Sequence, residues 1–106
     1  MLAEAALVLS LTPHVCSEPC KVQISIRAAE PAKVVCIALE SEGWYREACW
    51  PGRGKKFHST AIRDIPAGEY VVVAVVVGQD PVDLCQGSKC PSHEKRQRTI
   101  LVVLGE

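Results

Sequence analysis

Asp64-Ile65-Pro66-Ala67-Gly68-Glu69-Tyr70-Val71-Val72-Val73-Ala74-Val75-Val76-Val77 is the stretch around which the other strands of this chain must be fitted. Pro66 and Gly68 make a turn, and Tyr70 opens an apolar run that Gly78 stops. Six valines in the seven positions from Val71 to Val77 restrict χ1 and favour a strand over a helix. Strict alternation would leave one face wet; an unbroken apolar run predicts a strand whose two faces are both covered, or meant to be. We read it as a central strand.

Working back from it, Phe57 to Ile65 is a strand leading into the turn, and Pro51-Gly52-Arg53-Gly54-Lys55-Lys56 is a flexible basic loop. Before that loop, Val34–Glu40 and Tyr45–Trp50 flank Ser41-Glu42-Gly43-Trp44, and a two-residue Glu42-Gly43 turn makes them a hairpin. Counting outward from that turn sets Cys36 opposite Cys49 on a non-hydrogen-bonded pair, where a cross-strand bridge is feasible. The same register places Val35, Ile37 and Leu39 on one face with Trp50 and Ala48, which we assign to the core. Lys21 to Arg27 alternates, with Val22, Ile24 and Ile26 inward. Residues 6–11 form a first strand that Pro13 ends, and Cys16 to Cys20 reads as a tight connection. Toward the other terminus, residues 78–97 read as irregular, with a staple at Cys85–Cys90, and Thr99 to Leu104 is the last strand. No repeat and no convincing helix is visible.

At 106 residues the chain fits one domain, residues 1–106, with a single core. Its 12 basic and 12 acidic residues cancel, so no global field recruits nucleic acid or an anionic membrane. No stretch approaches the roughly 20 apolar residues of a membrane-spanning helix. Six cysteines, an even number, point to disulfides and an oxidising, extracytoplasmic compartment: secreted, cell-surface or periplasmic. Met1 to Leu11 lacks Lys and Arg and carries Glu4, so it is a poor signal peptide. We therefore expect an export signal to have been removed already.

Seven short strands with turns at short intervals predict an all-β, two-sheet antiparallel sandwich. Within that pattern, Asp64-Ile65-Pro66-Ala67-Gly68-Glu69-Tyr70 resembles the strand opening of bacterial extracytoplasmic immunoglobulin-like and fibronectin type III-like domains. Glu40-Ser41-Glu42-Gly43-Trp44-Tyr45-Arg46 is similar to a hairpin of such modules. The resemblance implies that Tyr70 occupies the family's tyrosine corner, its hydroxyl bonded to backbone at the sandwich edge. It also implies a strand order: 6–11, 21–27 and 57–65 in one sheet, and 34–40, 70–77 and 99–104 (C, F and G in immunoglobulin lettering) with 45–50 in the other. Ile24 and Val72 stand where antibody domains carry their bridge, so an antibody-type domain is excluded. Transthyretin-like and Cna-B-type sandwiches share the Pro-x-Gly-x-Tyr motif and are the alternative.

Local pairing, Cys16–Cys20, Cys36–Cys49 and Cys85–Cys90, is preferred among the possible connectivities. A bridge closing 15 residues contributes about 3 kcal/mol and shorter ones less, so two of these shape loops more than they hold the fold. The rival use is a zinc site drawn from Cys16, Cys20, Cys85, Cys90 and His93. Their C-x3-C and C-x4-C spacings depart from the usual C-x2-C, and the expected topology puts the two loops at opposite ends. His14, His58 and His93 read as surface or loop histidines. Asp80 and Asp83 read as a solvated turn, and the basic set Arg53, Lys55, Lys56, Lys95, Arg96 and Arg98 as solvated loops. No phosphate loop, nucleophile elbow or carboxylate pair is present, so no catalytic residue, cofactor or metal is assigned.

Excess apolar surface is more informative. With one face of each strand in the core, Val34, Ala38, Val71, Val73, Val75, Leu101 and Val103 are expected to look outward beside the Cys36–Cys49 bridge. Covering each such side chain is worth roughly 1.5–3 kcal/mol, so the face should be covered by residues 78–98, another subunit, a neighbouring domain or a protein partner. The expectation is a non-enzymatic binding or structural module serving adhesion, assembly or presentation through this C-F-G face and the Cys85–Cys90 loop. A small-ligand or zinc-binding protein using Cys85, Cys90 and His93 is the alternative.

Overall fold

The computed structural model describes residues 7–78 and 94–105. They form eight strands: β1 (Leu7–Thr12), β2 (Val15–Ser17), β3 (Cys20–Ala28), β4 (Ala32–Ser41), β5 (Trp44–Pro51), β6 (Phe57–Ile65), β7 (Gly68–Gly78) and β8 (Glu94–Leu104). Two sheets result, a three-stranded one in the order β1-β3-β6 and a five-stranded one in the order β2-β8-β7-β4-β5. The valine run is the middle strand of the larger sheet, hydrogen-bonded to β4 on one side and β8 on the other. The expected grouping of strands into sheets is present.

Two strand assignments differ from expectation. β2 is an eighth strand, and it runs parallel to β8, with Cys16 beside Val103. Three residues flanked by Pro13 and Pro19 carry no readable alternation, and their partner lies far along the chain. β8 begins at Glu94 rather than Thr99, because the polar run Lys95 to Arg98 pairs with the end of β7.

Inward-facing side chains of the two sheets make one core. Val22, Ile24 and Ile26 of β3 meet Val35, Ile37 and Leu39 of β4, all at most 1% exposed. Tyr70, Val72, Ala74, Leu101 and Val103 continue it, with Leu7 and Leu11 from β1. At roughly 1.5–3 kcal/mol per buried side chain, this packing is the main term holding the sheets face to face. Trp44, Ala48 and Trp50 pack on its rim from β5, and the Trp44 ring stands edge-on to Tyr70 with centroids 5.1 Å apart.

The β4–β5 hairpin has the register read from its turn: Ser41 faces Trp44, Cys36 faces Cys49 and Val35 faces Trp50. Gly43 sits at φ +73°, a left-handed conformation that glycine adopts without steric cost. Cys36 and Cys49 are bridged with Cα atoms 4.1 Å apart, the close approach of a non-hydrogen-bonded pair. The Cys16–Cys20 bridge also forms. It does more than shape a loop, since Cys16 lies in the five-stranded sheet and Cys20 in the three-stranded one. The expected Cys85–Cys90 bridge, His93, Asp80 and Asp83 lie outside the described residues.

Candidate functional site

The face of the five-stranded sheet turned away from the core is built from rows of side chains that the strand register aligns. One row runs Tyr45, Glu40, Val71, Ile100 across β5, β4, β7 and β8; the next runs Glu47, Ala38, Val73, Arg98. A third holds Cys49, Cys36, Val75 and Arg96, and a fourth Pro51, Val34, Val77 and Glu94. Down the centre this makes an apolar stripe of valine, alanine and disulfide. Neighbouring strands shield it in part: Val34, Ala38, Val73, Val75 and Val77 are half-buried and Val71 is 36% exposed.

Leu101 and Val103 do not belong to this face, contrary to expectation. Leu101 pairs with Tyr70 and Val103 with Gly68, and both point into the core, 0% and 3% exposed. From Ile100 to Leu104 every residue is apolar, so alternation gives no phase there; pairing with β7 sets it. The outward residues of β8 are Ile100, Val102 and Leu104, with Ile100 46% and Leu104 50% exposed.

Charge brackets the stripe. Glu40, Ser41, Glu42, Glu69 and Arg98 surround Val71 and Val73 in a shallow groove of about 560 Å³. On β5 the Tyr45 hydroxyl donates to the Glu47 carboxylate at 2.6 Å, and that bond, with burial and the Glu47 and Glu40 charges, raises the Tyr45 pKa. On β8, Arg96 pairs with Glu94 at 3.2 Å. The β5 side is therefore acidic and the β8 side basic.

At one end of the face the turn between β6 and β7 is held from several directions. The Tyr70 hydroxyl donates to the Pro66 carbonyl at 2.6 Å, four residues back. Burial, then the negative charge of Glu18, raises the Tyr70 pKa, while Arg46 opposes them. Glu18 accepts the Ala67 N–H at 2.6 Å, and Arg46 donates to the Arg63 carbonyl while its guanidinium lies 4.9 Å from the Trp44 ring centroid. Asp64 takes a left-handed φ of +59°, a conformation that short polar side chains tolerate.

The remaining candidates are dispersed. His58 is buried rather than on the surface, 6% exposed, with Nε2 2.9 Å from the Lys55 carbonyl and its ring against Trp50. Only its burial distinguishes it, and alternation with Ile62 in β6 was the available signal. The loop carrying Arg53, Lys55 and Lys56 follows β5, whereas Lys95, Arg96 and Arg98 lie on β8, with β4 and β7 between. Cys16 and Cys20 are tied to each other, which removes both as thiolate ligands. Among the described residues no three His, Cys, Asp or Glu side chains gather as a metal set. A smaller groove of about 250 Å³ lies on the outer face of the three-stranded sheet between Val8, Ser10, Ser25, Arg27 and Phe57. Compared with protein families, curated proteins and solved structures, the chain matches none.

Proposed function

We propose that this chain is an immunoglobulin-like, non-enzymatic module that works outside the cytoplasm in adhesion, assembly or presentation. In this reading it binds a protein partner through the outer face of its five-stranded sheet. The observation that carries the reading is the stripe Val34, Ala38, Val71, Val73 and Val75, continuous across strands and extended by Ile100 on β8. Opposite charges at its two sides, Glu47 on β5 and Arg98 on β8, favour a protein surface over an apolar small molecule, because they fix orientation as well as contact.

Three further features support it. The Tyr70-to-Pro66 bond has the geometry of a tyrosine corner. The sheet orders β1-β3-β6 and β8-β7-β4-β5, with β2 as an added edge strand, are compatible with an immunoglobulin-like arrangement and support that reading. Two disulfides suit an oxidising setting.

A photo-crosslinking amino acid at position 73, introduced into the protein in its native setting, tests the proposal. It should trap a protein adduct, while the same residue at position 8, on the opposite outer face, should not. A protein that sediments as a strict monomer, binds no hydrophobic dye and gives no adduct from position 73 would overturn it.

A further inference from the structure

Both lateral edges of the five-stranded sheet carry backbone groups that no described strand takes up. β2 covers β8 only at Val102–Leu104, so the stretch Glu94–Ile100 is bonded to β7 on one side and, among the described residues, to no strand on the other. The Val102 N–H donates to the His14 carbonyl and the Leu104 carbonyl accepts from Glu18, so even-numbered residues of β8 turn their backbone toward that edge. Arg96, Arg98 and Ile100 therefore offer N–H and C=O pairs there. At the opposite edge, the Glu42-Gly43 turn makes Ser41 and Trp44 a hydrogen-bonded pair, and the alternation leaves Tyr45, Glu47 and Cys49 facing out.

We propose that the chain assembles with a second copy of itself, edge to edge, with β5 of one copy pairing antiparallel to the open part of β8 of the next. Strand direction allows it: β5 is antiparallel to β4, β4 to β7 and β7 to β8, so β5 is antiparallel to a β8 laid beside it in the same orientation. Length allows it as well, because β5 lies in the rows occupied by Glu94 to Leu101 and stops short of those that β2 fills.

Side chains then match without any slide along the strands. The rows that already align the two edges within one copy bring Tyr45 to Ile100, Glu47 to Arg98 and Cys49 to Arg96 of the neighbouring copy. The first is an aromatic against a β-branched residue and the second an ion pair, both favourable cross-strand pairs. Pro51, which lacks an N–H, ends the ladder opposite Glu94. On the other face the same register sets Trp50 against Lys95.

Charge selects this pairing over its rivals. Two β8 edges meeting antiparallel about Gln97 would oppose Arg96 to Arg98, and two β5 edges meeting about Glu47 would oppose that carboxylate to its own copy. Of these three pairings, that of the unlike edges sets acid against base, and like charges directly opposite are destabilising. The contact is heterologous, so it leaves one edge free at each end and can grow. Four interstrand steps of roughly 20–25° each would turn successive copies by roughly 80–100°, giving a twisted ribbon. It concerns the edges, not the outer face, and stands whether or not that face takes a partner.

Sedimentation velocity of the intact, oxidised protein across a concentration series tests it. Glu47→Arg and Arg98→Glu each place like charges at the junction, and both positions are exposed, so folding should survive, as circular dichroism would check. Each variant alone should associate at least tenfold more weakly than the parent. Mixing the two variants, or combining both changes in one chain, restores opposite charges at every junction and should restore association. A parent that stays monomeric up to millimolar concentration, single variants that associate as well as the parent, or mixtures that do not recover would each overturn the proposal.

Discussion

Replacing Tyr70 with Phe removes a single oxygen from the best-connected turn of the molecule. That oxygen donates to the Pro66 carbonyl at 2.6 Å, while the ring, 2% exposed, stays in contact with Trp44. A net intramolecular hydrogen bond is worth about 0.5–1.5 kcal/mol, and the carbonyl left behind lies at a turn that water can reach. We expect Tyr70→Phe to cost about 1 kcal/mol in urea unfolding with the m value unchanged. Tyr70→Ala also deletes the buried ring and its edge-on partner and should cost about 3–5 kcal/mol. The two variants should differ in alkali too. Because the phenol pKa is raised by burial and by Glu18, the folded state holds its proton past the pH at which the unfolded chain gives it up. The resulting stability is complete below pH of about 10, the ordinary tyrosine value, and is lost as pH rises through the folded-state pKa. Tyr70→Phe should lack that loss. A Phe variant as unstable as the Ala variant, or one indistinguishable from the parent at neutral and alkaline pH alike, would refute the reasoning.

Other expectations follow from single contacts. Converting both Cys36 and Cys49 to Ala opens a 13-residue separation and should lower stability by about 2–3 kcal/mol in denaturant unfolding, with strand content retained. Gly52→Ala should be worse than Gly43→Ala: a Cβ at Gly52 would collide with the Ala32 carbonyl, whereas at Gly43 it meets open space and carries only the left-handed penalty of about 1–2 kcal/mol. Thermal unfolding of the two variants reads the difference directly. Val103→Asp places a carboxylate in the core and should prevent folding or cost more than about 4 kcal/mol, while Ile100→Asp, two strand positions from Val102 on the outer face, should change stability by less than about 1 kcal/mol. Circular dichroism against temperature separates the two.

What the sequence made legible were the places where a local rule acts alone. Glu42-Gly43 fixes a register, and the register carries Cys36 to Cys49 and Val35, Ile37 and Leu39 to the core. Val22, Ile24 and Ile26 announce their face by alternation. Features set by distant pairing were silent. β2 exists because Val15–Ser17 finds Val102–Leu104, far along the chain. The inward direction of Leu101 and Val103 is fixed by Tyr70 and Gly68, since Ile100 to Leu104 offers apolar residues to both faces. The outer face itself was half visible: the valines of β7 were placed on it, and the outward positions of β8 were assigned one residue out of phase. Its charged margins needed the strand order, which brings Glu47 and Arg98 into one row across four strands.

The Cys16–Cys20 bridge spans the two layers of the sandwich, and that has a mechanical consequence. A pull applied ahead of β1 loads the β1–β3 ladder first, and once that ladder yields, the force reaches Cys16. From there the covalent link hands the load straight to the head of β3, so the residues between the two sulfurs cannot lengthen the chain. In a single-molecule stretching record, reduction of this one bond should therefore appear as a small extra gain in contour length between the first rupture and the next.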